Sequence, residues 1–371
     1  MGNKNAFASP ENWPDVGPGQ MSPRERVLEA LSHREPDRVP ADLWAVPEVW
    51  QRLQTYFGGV SRAEVLQRLY IDIRWVVPNY VGPQQSLPGG ISVGPYGSWR
   101  KDQRHGFGAY AEYAGYPLAE AGTASDIHEW EWPRTEHWDM DSVKSQLDEF
   151  DAEGGYFVCY DLGGIFERSW GLMGLERFLM DLVQNPEVPC AIMDHMTDLY
   201  IENVTRLLDA SVGRVDMVYT WDDIAHQLGL IISPALWREY LRPRHQRLNA
   251  AIRRYDVKIM YHSCGAVYSL VRSLIDDLGI DVLQSLQPRA RGMDMQRLKD
   301  EFGDQVSFHG GVDIQHTMPH GTPEEVYREV RDRIEVLGRG GGYVLSAAHY
   351  LQNDIPTENI LALYRTSRTA H

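Results

Sequence analysis

The chain has 371 residues, 43% of them hydrophobic and 24% charged, with a formal net charge of −16. This is the profile of a globular protein whose core needs no disulfide staples, and its acidity argues against nucleic acid or an anionic membrane as partner. Three cysteines are too few for a secreted disulfide framework, and no apolar run is long enough to span a membrane, so the cytoplasm is the expected location.

Residues 1–20 are polar and rich in proline and glycine, and read as a flexible extension. A single catalytic domain is expected over 21–371. Its first helix is signalled by Ser22-Pro23-Arg24-Glu25, where Ser22 caps, Pro23 suits the first turn and Glu25 completes a capping box. The stretch 38–44 then reads as a buried strand. Short apolar runs ending in Gly, Asp, His or Pro follow at 73–78, 156–163, 215–221, 258–265, 281–287, 306–311 and 342–345. Between most of them lie stretches of helical period, such as 174–183, 194–208, 235–255 and 323–337. Strands alternating with helices predict a parallel sheet covered by helices, and about eight strands predict a closed (β/α)8 TIM barrel. An open doubly wound sheet is the alternative. Residues 90–118 break the rhythm with aromatics and turn residues, which predicts a β-hairpin insertion after the second strand. The tryptophan-rich stretch 128–138 is expected to pack against it irregularly.

In such a barrel the chemistry belongs at the C-terminal ends of the strands. His262 and Cys264 stand two apart at one of those ends, so their side chains share a face, and Gly265 permits a turn. Imidazole nitrogen and thiolate sulfur are ligand types that zinc prefers. A lone His-x-Cys also fits a buried thiol beside an ordinary histidine, so a third ligand is required. His349, just past the last predicted strand, faces the same cavity; on position alone it is equally a loop histidine.

These residues belong to a wider pattern. Met21–Val27 and His33–Pro40, Trp221-Asp222-Asp223-Ile224 with 230–234, His262-Ser263-Cys264-Gly265, 309–313 and 354–359 together resemble the uroporphyrinogen decarboxylase superfamily, in consistent order over about 21–365. The likeness is to its zinc-dependent, corrinoid-linked methyltransferase branch in particular. The resemblance implies a (β/α)8 barrel and zinc held by a His-x-Cys pair plus a cysteine ahead of a Pro-x-Glu-Asn motif. The pair matches at His262 and Cys264, whereas the third position falls on His349. One thiolate fewer makes the metal more Lewis acidic, which favours an ether or alcohol type of methyl donor over a thiol. The arginine-rich substrate motif of the decarboxylase branch is not visible between Val39 and Tyr56.

Other strand-end residues complete the expected site. Of the neighbours Asp222 and Asp223 only one should face the cavity, and the family's acidic motif points to Asp222, as a proton acceptor or a metal partner; a helix cap is the plainer reading. Glu167 is a potential general acid, or else an ion pair with Arg168. Trp44, Tyr80, Tyr219 and Trp221 would wall the pocket with aromatic faces. His226, where the family carries a small hydroxylated residue, and His309 are further substrate-binding candidates.

The expected function is a zinc-dependent methyltransferase or O-demethylase. It would move a methyl group between a small substrate, such as a methoxylated aromatic, and a corrinoid on a separate carrier protein. A decarboxylase or lyase on the same scaffold is the rival enzyme, and a non-catalytic small-molecule receptor is the rival outside enzymology. By analogy with other barrels, a homodimer is the expected assembly.

Overall fold

A computed structural model of the protein describes residues 19–105 and 108–369. Most of the expected N-terminal extension, residues 1–18, lies outside them. Seven parallel strands form one curled sheet in sequence order: β1 (Ile73–Val76), β2 (Phe157–Gly163), β3 (Met217–Trp221), β4 (Lys258–His262), β5 (Val282–Ser285), β6 (Ser307–Val312) and β7 (Tyr343–Ala347). The expected first strand is present as two isolated parallel bridges, Ala41 to Leu345 and Ala45 to Leu351. On its other side, the Asp72 N–H donates to the Ala41 carbonyl at 2.9 Å. Residues 40–45 therefore lie between β7 and the entry to β1 and bring the two sheet edges together into a (β/α)8 barrel. Pro40 opens this segment and Pro47 follows it, and neither has an N–H to donate to a ladder.

Side chains alternate along each strand, as pleating requires. Ile73, Phe157, Cys159, Met217, Tyr219, Met260, Val282 and Val344 fill the barrel interior with Trp44. Val158, Tyr160, Val218, Ile259 and Tyr261 point outward into the larger apolar layer beneath the helices. At the carboxyl end this same alternation turns inward-facing positions from apolar to polar, at Asp161, His262 and Gln284.

The helices follow the predicted periods. Ser22 caps Pro23–Leu31 with a full capping box. The stretch 235–255 is interrupted by a π turn at Trp237–Leu241, immediately before Arg242–Ile252. Pro243 cannot supply the next helical N–H, which accounts for the local unwinding.

The segment after β1 forms a four-stranded antiparallel sheet of Ser86–Leu87, Ile91–Val93, Trp99–His105 and Gly108–Gly115. It packs on the helix Ile165–Met173, where a Cβ on Gly171 would collide with the Tyr113 ring. Trp130 and Trp132 cover its other side, along a cleft that they share with Tyr80 and Trp99. No helix among the described residues is long and apolar enough to cross a membrane.

Candidate metal centre at the barrel mouth

His262 is the last residue of β4, paired in register with Trp221 on β3 and Gln284 on β5. Its Nδ1 donates to Gln284 Oε1, which leaves Nε2 facing the mouth. Past Ser263 the chain turns at Gly265, whose φ of +84° and contact with the His226 carbonyl exclude a side chain. That turn brings Cys264 Sγ to 3.5 Å from His262 Nε2. His349 arrives from β7 on a backbone fixed by Ala348 N to Val312 O and Leu351 N to Trp44 O, both 2.8 Å. The three donor atoms lie within 4.8 Å of one another.

Zinc bound to nitrogen at about 2.0–2.1 Å and to sulfur at about 2.3 Å separates tetrahedral ligands by roughly 3.5 Å. The His262–Cys264 spacing already meets this, and His349 needs an approach of about 1 Å. The donor set therefore fits a zinc ion, which these three residues would hold. The Nδ1 contact with an amide oxygen is the kind of support that orients a metal-binding imidazole, while Nε2 faces the Asp223 carboxylate and the Cys264 sulfur.

The electrostatics suit a cation. Burial alone would lower the His262 pKa, but the Cys264 sulfur and Asp223 outweigh it and raise it well above the usual histidine range. His349 is pushed down to about 4 by burial and by His262. Asp223 faces His262 Nε2 at 3.3 Å and accepts from the Cys264 N–H at 2.8 Å. Despite burial, the His262 contact holds Asp223 down at about 2.

Of the two neighbouring aspartates, Asp223 is thus the one at the centre. Asp222, the expected proton acceptor, is fully buried with both oxygens engaged. Its Oδ1 accepts from the N–H groups of Phe166 and Glu167, and its Oδ2 pairs with His245 at 2.7 Å. It caps the helix Ile165–Met173 from the neighbouring strand. Glu167, in the first turn of that helix, is half-buried, and burial followed by repulsion from Asp223 raises its pKa.

The aromatic residues divide. Trp44 and Tyr219 meet edge to face at 5.2 Å, and Trp44 also contacts Tyr350 at 5.4 Å. Tyr219 lies 5.9 Å from the His262 ring. Trp221 donates through Nε1 to Asp161 at 3.3 Å. Tyr80 instead lines the separate cleft of about 350 Å³ under the antiparallel sheet, because the chain has already left the barrel there. His309 is buried beneath the mouth and pairs with Asp42, which also accepts from the indoles of Trp44 and Trp75. His226 is exposed on a small hairpin and contributes its backbone carbonyl to the Gly265 turn. Asp161, Arg168, Gln284 and Tyr350 join the surroundings of the site without having been singled out by the sequence. Strand-end parity marks Asp161, two residues beyond the inward Cys159; the others depend on register and loop shape.

The chain belongs to the uroporphyrinogen decarboxylase family, whose model matches residues 151–370. Most of its named relatives are decarboxylases. That of Pseudoalteromonas translucida is 24% identical over 47% of this chain and 46% of the relative. A methylated-thiol–coenzyme M methyltransferase of Methanosarcina mazei is 26% identical over 55% of this chain and 50% of the relative. The chain thus spans about half the length of the curated relatives it matches. A solved methyltransferase from Methanosarcina mazei shares the fold, with a TM-score of 0.66 and 17% identity over 94% of this chain and 98% of the other.

Proposed function

We propose that this chain is a zinc-dependent methyltransferase or O-demethylase, exchanging a methyl group between a small substrate and a corrinoid on a separate carrier protein. The observation that carries the reading is the convergence of His262, Cys264 and His349 at one corner of the barrel mouth. These residues would hold the zinc, which when bound supplies a Lewis acid for the methyl-bearing heteroatom. Asp223 fixes the His262 ring and the Cys264 backbone. Glu167, whose pKa burial and the Asp223 charge raise, would give its proton to a departing oxygen. Trp44, Tyr219 and Tyr350 offer aromatic faces to a methoxylated ring. The methyltransferase relatives support the same class of chemistry.

The decarboxylase relatives favour a second reading, in which a carboxylated substrate loses carbon dioxide. Arg52 is the only arginine between Val39 and Tyr56, and it is committed to the Asn353 and Ile355 carbonyls. The substrate carboxylates of a porphyrinogen would find no free cation in that segment.

The test combines metal content with turnover. Protein purified without added metal is expected to hold about one zinc per chain, reduced strongly in Cys264→Ser and His349→Ala. Incubation with cob(I)alamin and a panel of methyl ethers, thioethers and amines should then yield methylcobalamin. A metal-free parent that takes up no zinc, or carbon dioxide release without methyl transfer, sinks this reading.

A further inference from the structure

Arg168 stands in the first turn of the helix Ile165–Met173 with its guanidinium 5.1 Å from the Trp221 ring centroid and 5.3 Å from that of Tyr96. Its side chain is half-buried, and Nε is shut off from solvent with no hydrogen-bond partner. Among the described residues no carboxylate comes within ion-pair distance of it. Buried arginines elsewhere in the barrel behave differently: Arg26 pairs with Asp37 and Asp72, Arg38 with Asp72, and Arg74 with Glu153. The charges of Glu167 and Asp161 reach Arg168 without a direct ion pair, and an Nε held from water with no acceptor leaves the guanidinium short of hydrogen bonds that an incoming anion can supply.

The position of Arg168 says where that anion would sit. Trp221, over which the guanidinium lies, is the register partner of His262 on the adjoining strand. Asp161, on the same side of the mouth, is occupied by the Trp221 indole. The Trp221 and Tyr96 rings engage the guanidinium through its cation–π contacts, and a guanidinium offers a fork of two parallel hydrogen bonds. A planar carboxylate matches that fork. In a chain of net charge −16, a local cation is also needed to draw an anion in.

We propose that Arg168 anchors a carboxylate of the substrate, so that the molecule presented to the His262–Cys264–His349 corner is a small organic acid with its methyl-bearing heteroatom at the opposite end. The inference rests on the methyl-transfer reading for its second half, the placement of the methyl group, and not for its first. The competing account is that Arg168 only tacks the antiparallel insertion, through Tyr96, to the barrel.

The test compares 4-methoxybenzoate with its neutral isostere 4-methoxybenzamide, titrated into the full-length protein and followed by tryptophan fluorescence and calorimetry. The parent should bind the acid about 10–100-fold more tightly than the amide. Arg168→Gln should erase that preference while leaving amide affinity and the unfolding midpoint near those of the parent. Arg168→Lys, which keeps the charge but not the fork, should retain part of it. Equal binding of acid and amide by the parent, absence of binding to either, or a preference that survives Arg168→Gln overturns the assignment. Arg168-dependent binding of the acid with no transfer to cob(I)alamin supports this anchor and counts against methyl transfer. Transfer from neutral donors that is indifferent to Arg168 does the reverse.

Discussion

The His262 ring is gripped from both neighbouring strands, by Gln284 on Nδ1 and by Asp223 at 3.3 Å from Nε2. Gln284 serves this purpose at some expense, because its own Nε2 is buried with no partner. Leucine at 284 would remove that orphan amide and the orienting acceptor together. Gln284→Leu is therefore expected to weaken zinc affinity by about 10–100-fold while the metal-free protein melts no lower than the parent. Titration against a chromophoric chelator and a thermal scan decide this, and unchanged zinc affinity would rule out an orienting role. His262 and Cys264 were legible in the sequence because two-residue alternation and a following glycine are local features of one strand. Gln284 was not, since its contact arises from the register of β4 against β5. The family's acidic motif puts Asp222 ahead of Asp223, and strand parity cannot correct this because it ends at Trp221. There the Asp222 N–H still donates to His262 O at 3.0 Å, while the next turn closes through Ile224 N to Asp222 O.

At the scale of the element, the helix Ile165–Met173 owes its start to a residue from another strand. Its N-cap, Gly164, has no side chain to offer, and Asp222 accepts the two N–H groups instead. Gly164 is required for this approach, since a Cβ there would lie 2.8 Å from Asp222 Oδ1 and closer still to the Trp221 carbonyl. Asp222→Ala would strand His245 and two buried N–H groups at once. The expected loss is about 3–5 kcal/mol, read as a lowered urea midpoint, with zinc content per folded chain largely kept. A midpoint equal to the parent's would return Asp222 to the chemistry. The barrel strands and most helices were readable because apolar period and length separate the two types. The cap across strands was not. At 90–118 aromatics and turn residues mark a β-hairpin insertion, where the structure has a four-stranded antiparallel sheet over 86–115. Glu167 and Arg168 take their places from this helix; the sequence offers Glu167 as a general acid, whereas the surroundings of Arg168 follow from how the helix docks.

At the scale of the whole molecule, the barrel closes through a buried ionic network opposite the metal centre. Arg26 from the first helix bonds Asp72, just before β1, at 2.6 Å, and Arg38 bonds the same carboxylate at 2.8 Å. Asp72 also accepts the Ala41 N–H at 2.9 Å, so one side chain ties the first helix, the bridging segment 40–45 and β1 together. Asp37 completes the network on Arg26 and on the N–H groups of Gln20 and Met21. Burial opposes its ionisation, yet these bonds lower its pKa from 3.8 to about 2. A carboxyl depressed in the folded state stabilises the protein above its unfolded pKa, and that contribution fades as pH falls through the folded value. The stabilisation from Asp37 should thus be complete above about pH 5, decline from about pH 4, and be nearly gone at about pH 2. Allowing for partial exposure, Asp37→Asn should cost about 1–2 kcal/mol at neutral pH and progressively less on acidification. Urea unfolding of both proteins across this range should show the two stability curves converging at the acid end. A gap that stays constant down to about pH 2 would mean that Asp37 acts through shape and neutral hydrogen bonds, and that the seam is closed by the Asp72 pairings alone.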